Sequence, residues 1–178
     1  MQWQTLDSQY FLLLALLIPA CAMDLWRHRI PNIITYPGLL AGLALGLISG
    51  GAAGLGIHLL GALAAGFPLL LMFLGGSLGG GDVKLMAAVG AVMGFPAALN
   101  ALFASIMVGG LCAALILIWQ GRLWGLTVYA WGGIGHRLGW RKDPPTALPA
   151  RRDAFPFGVA ITIGTLLTAT PPSLFFGG

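Results

Sequence analysis

All the acid in this 178-residue chain is aspartate: Asp7, Asp24, Asp82, Asp143 and Asp153, with no glutamate. Two of the five occupy costly positions. Asp24 closes a long apolar run in CAMDLWRHRIPN, and Asp82 follows three glycines and opens another run in LGGGDVKLMAAVG. Ionisable groups at a membrane helix are functional-site candidates by default. Two carboxyls held close together do not both ionise readily, so one keeps a proton while the other carries the charge. Such a pair is suited to peptide hydrolysis. The ionised member takes a proton from a shared water that attacks the scissile carbonyl, and the protonated member donates a hydrogen bond to the developing oxyanion. That chemistry needs no Ser or Cys nucleophile. Glycines ahead of Asp82 suit it too, because a loop without Cβ atoms lets an extended backbone come near.

The pairing depends on what positions the two residues. The chain is 58% hydrophobic and 8% charged, with a mean hydropathy of +0.90, whereas soluble domains are about 25% charged. These values exclude a soluble domain and point to an all-α, polytopic membrane protein. A bilayer crossing takes about 20 apolar residues. Six segments are expected on that basis, at about 9–23, 33–48, 55–74, 83–99, 102–119 and 155–170. The first lacks a preceding Lys or Arg, so it is read as a retained helix rather than a signal peptide.

The nine basic residues orient these segments. Arg27 and Arg29 follow the first, Lys84 lies after the third, and Arg122, Arg137, Arg141, Lys142, Arg151 and Arg152 follow the fifth. The intervening SGGAAG and GFPAA turns carry no charge. All nine therefore fall on one side, which the positive-inside rule makes cytoplasmic, with both termini outside the cytoplasm. Asp24 and Asp82 then share the cytoplasmic boundary. Residues 1–178 are expected to form a single membrane-embedded domain, with 120–153 as a basic, aromatic-rich cytoplasmic segment suited to anionic headgroups. Basic residues flanking apolar runs argue against nucleic acid as a partner. Cys21 and Cys112 form no CxxC pair or His/Cys cluster, so no metal, disulfide or cofactor is expected. Glycines four apart, such as Gly42 and Gly46 or Gly90 and Gly94, favour close helix packing within the chain over a dimer face. Oligomeric state is not encoded in any legible pattern.

Plainer readings stand beside the carboxyl pair. Asp82 fits the N-terminus of a helix, where its charge is favoured, and Asp24 has Arg27 nearby as a possible ion partner. A small transporter or an assembly subunit of a pilus or secretion system, coupling protons through Asp24 and Asp82, is the non-enzymatic alternative.

The motifs separate these readings. GGGDVKLM resembles the G-x-G-D motif, with its trailing K-L, of the type IV prepilin peptidases, a family of membrane aspartic proteases. Asp24 and the following LWRHRIPN resemble that family's D-x-x-x-x-x-I-P-N motif through Ile30, Pro31 and Asn32. FPFGVAITIG resembles the P-[FY]-G-[VP]-A segment of its final helix. The resemblance implies Asp24 and Asp82 as the catalytic pair. Gly79 and Gly81 match the motif glycines, while Lys84 and Asn32 match motif positions near the substrate approach. It further implies cleavage of basic leaders from prepilin or pseudopilin precursors, after a glycine, at the cytoplasmic face of the bacterial inner membrane. No CxxC-bearing extension is present, so N-methyltransferase activity is not expected. The short form is similar to peptidases of tight-adherence (Flp) pilus systems.

Overall fold

The computed structural model describes residues 2–119 and 157–169, nearly all of them helical, with no strand among the described residues. The helices are α1 (Gln2–Arg27), α2 (Asn32–Leu74), α3 (Gly80–Met93), α4 (Ala97–Trp119) and α5 (Phe157–Ala169). The all-α class follows from the composition. An apolar segment in hydrocarbon must satisfy its own N–H and C=O groups, and a helix does so within the segment.

Three helical stretches are long and apolar enough to cross a bilayer: Ser8–Arg27, Asn32–Leu74 and Ala97–Ile116. The helices α3 and α5 have 14 and 13 residues, short of the roughly 20 that a crossing takes. Six separate full-length spans are thus not what the helices present. One reason lies in α2. Its 43 residues would reach about 65 Å if straight, twice the ~30 Å hydrocarbon core. Helical geometry fails at Gly50 (φ −138°, ψ 15°) and Gly51 (φ 59°, ψ −144°). The positive φ with extended ψ at Gly51 belongs to a region that is essentially glycine-only. The two arms, 32–49 and 52–74, double back on each other. Backbone meets backbone at Gly46 and Gly54, and a Cβ on Gly46 would lie 2.6 Å from the His58 ring. These arms correspond to the second and third expected segments, and SGGAAG is the turn.

A second correction concerns the fourth and fifth segments. The sequence places a helix over 83–99, but α3 ends at Met93 and α4 begins at Ala97. The break comes earlier because Gly94 adopts a φ of 70° and Pro96 follows it, and proline has no N–H with which to continue a helix.

Much of α3 is enclosed. Leu85, Met86, Val89 and Val92 are fully buried, in one core cluster with Leu17 of α1 and Ile161 of α5. Small residues let the α2 backbone close on α3. Gly61 and Gly90 touch through their backbones, and a Cβ on Gly42 would lie 2.6 Å from the Ala91 carbonyl carbon. These glycines serve packing inside the chain. The buried His58 ring donates from Nδ1 to the Ala91 carbonyl at 2.7 Å, satisfying one of the last α3 carbonyls, which lack helical partners. Large apolar side chains such as Phe11, Ile18, Ile48 and Phe103 are more than 60% exposed, a costly arrangement in water and a suitable one in lipid.

The chain divides into two units, 1–109 with 156–178, and 110–155. Of the second, only 110–119 is described, as the helical end of α4 with mostly exposed side chains. The basic segment expected at 120–153 and the chain ends lie outside the described residues.

Candidate active site

Asp24 lies in the last turn of α1, which ends at Arg27. His28 then takes a left-handed backbone (φ 50°) and donates its N–H to the Asp24 carbonyl at 2.9 Å. This reversal turns the chain toward Ile30, Pro31 and Asn32. Pro31 is extended (φ −74°, ψ 145°) and caps α2, as suits a ring that fixes φ and supplies no N–H to the helix start.

The Asp24 side chain is only 5% exposed, and a buried charge is tolerated only with close polar partners. Its partner is the first turn of α5, where the Gly158 N–H donates to Asp24 Oδ2 at 2.8 Å. A Cβ on Gly158 would lie 2.6 Å from Oδ2 and 3.1 Å from Ile30 Cδ1. This approach is open only to glycine.

Asp82 occupies the first turn of α3, outside the three candidate spans, and is half-buried. Its N–H donates to the Gly79 carbonyl at 3.2 Å. A Cβ on Gly79 would stand 3.1 Å from Asp82 Oδ2, and one on Gly81 3.2 Å from Ile30 Cβ. Ile30, itself buried, is thus wedged between Gly81 before Asp82 and Gly158 beside Asp24. Burial foremost, then the Asp24 charge, push the Asp82 carboxyl up to about 7, against a smaller opposing pull from the Gly79 backbone. The two aspartates therefore lie within electrostatic reach.

Lys84, one turn into α3, donates from Nζ to Asn32 Oδ1 at 2.9 Å. Its ammonium also stands 5.5 Å from the Tyr36 ring centroid, a cation–π distance. A cleft of about 730 Å³ opens at the α1–α2 connection, lined by Met23, Arg27, Arg29, Ile30, Pro31 and Asn32. Among the described residues no three His, Cys, Asp or Glu side chains converge as metal ligands.

All six residues singled out from the sequence thus lie on the connected ends of α1, α2 and α3. Two further positions went unread. The FPFG segment was recognisable, but nothing in it signals that Gly158 meets Asp24. Ile30 was legible as a motif residue, but its place between two glycines was not.

An all-helical membrane protein that brings two carboxyls from separate helices within electrostatic reach is the class that fold and site define. Residues 11–114, more than half of the chain, match the model of the type IV leader peptidase family. The chain belongs to that family. The prepilin leader peptidase/N-methyltransferase of Bacillus subtilis (strain 168) is 31% identical over 160 residues, covering 86% of this chain and 52% of the relative. The chain spans about half the length of that curated relative. No solved structure gives a significant match. The stretch matched by the family model contains both aspartates.

Proposed function

We propose that this protein is a membrane aspartic endopeptidase that removes the basic leader of prepilin or pseudopilin precursors. The observation that supports the reading is geometric: Ile30 packs against both Gly81 beside Asp82 and Gly158 beside Asp24, and both aspartates lie in the stretch that matches the leader peptidase family. A carboxyl pair of this kind hydrolyses a peptide bond with one proton between its members. The ionised carboxylate takes a proton from a bound water, whose oxygen attacks the scissile carbonyl. The protonated carboxyl donates to the developing oxyanion, and the proton later reaches the departing amine. Gly79 and Gly81 keep the approach to Asp82 low, and Lys84 with Asn32 holds the α2 and α3 starts in register.

The site faces the cytoplasm in this reading, at the inner membrane of a bacterium. The two arms of α2 count as separate crossings, so the chain returns at Leu74 to the side on which α1 ends. Arg27, Arg29 and Lys84 then share one side. Methyl transfer is not part of the proposal.

The test is cleavage of a purified pilin precursor in proteoliposomes by wild type, Asp24→Asn and Asp82→Asn. Both variants are expected to lose at least a thousandfold in rate while keeping the wild-type thermal midpoint. Full activity in either variant refutes the pair.

A further inference from the structure

Among the described residues, the hydrogen bond to the Asp24 carboxylate comes from the start of α5, in the FPFG segment that resembles the family's final helix. We propose that Gly158 is a positioning residue for the reaction, and that the first turn of α5 sets the orientation of the Asp24 carboxylate. The inference rests on the reading of Asp24 and Asp82 as the hydrolytic pair.

Three observations carry it. The Gly158 N–H donates to Oδ2 at 2.8 Å across 134 residues of sequence, which commits that oxygen to the α5 backbone. The missing Cβ is equally necessary, because one at 2.6 Å from Oδ2 would force the carboxylate to move or rotate. The α5 end is itself anchored. A Cβ on Gly109 would meet the Phe157 ring at 2.5 Å, and Gly164 packs directly on the Ser105 backbone of α4. The donor thus stands on a fixed helix rather than on a loop. Rigid support of this kind matters because a misplacement of about 1 Å costs on the order of 100-fold in rate.

The test compares three forms of the full-length protein in proteoliposomes on one purified pilin precursor. Gly158→Ala adds the Cβ. Glycolic acid in place of Gly158, introduced by semisynthesis, replaces the N–H with an ester oxygen and adds no side chain. Gly51→Ala strains the α2 turn and touches neither Asp24 nor α5. Both changes at 158 are expected to lower kcat by tenfold or more, with KM and thermal midpoint held, and to displace one limb of the pH–rate profile. Gly51→Ala is expected to lower the thermal midpoint while kcat per folded molecule and the profile stay as in wild type. If Gly158→Ala does not fold, the ester form decides. Wild-type kcat in the ester form, or a loss that only follows the folded fraction, overturns the proposal. The pair itself fails separately, through an active Asp24→Asn or Asp82→Asn.

Discussion

The Lys84 ammonium donates to Asn32 Oδ1 at 2.9 Å, joining residues 52 positions apart and tying the first turns of α2 and α3 together. The bond is exposed, so its net worth is small, about 1 kcal/mol or less. Its significance is geometric. Asn32 ends the motif that begins at Asp24, and Lys84 lies two residues beyond Asp82.

Removing either partner should therefore affect turnover more than stability. Lys84→Met and Asn32→Ala are each expected to lower kcat/KM severalfold with little change in thermal midpoint. The double variant should be no worse than the poorer single one, as expected for residues acting through one shared bond. Additive losses in a double-mutant cycle would count against this link.

The pH dependence follows from Asp82. Its carboxyl is raised to about 7, so it keeps a proton below that pH and loses it above. As the proton-holding member of the pair it must be protonated to donate, so cleavage should fall as pH rises through about 7. The Asp24 charge contributes to the rise. In Asp24→Asn the Asp82 carboxyl should therefore titrate at lower pH, though still above an ordinary aspartate, because burial remains. The protonated carboxyl band in the infrared, assigned by its loss in Asp82→Asn, reports this shift.

Gly51 offers a purely structural prediction. Its φ of 59° with ψ of −144° costs a residue with a Cβ roughly 1–3 kcal/mol. Gly51→Ala should lower the thermal midpoint in detergent. The second arm of α2 separates this turn from the α3 start by about 34 Å, so the kcat of the molecules that fold should not change.

Much of the fold was legible because membrane helices announce themselves through long apolar runs. SGGAAG marked the α2 reversal and GFP marked a break. The extent of α3 was misread because hydropathy continues through residues 94–99 while the backbone does not. A left-handed Gly94 followed by Pro96 ends a helix whatever the polarity around it.

At the candidate site the sequence determined which residues lie there, through three motifs whose side chains and spacings are specific. It also restricted Asp24 and Asp82 to apolar-run boundaries, since charge is tolerated there and not deeper. Tertiary structure alone decided what each one touches. Asp24 and Gly158 are 134 residues apart, and no local rule connects the end of one helix with the start of another. Their meeting depends on α1 and α5 packing together with α3, where the buried apolar surfaces choose the register and the glycines let backbone and carboxylate close to 2.8 Å.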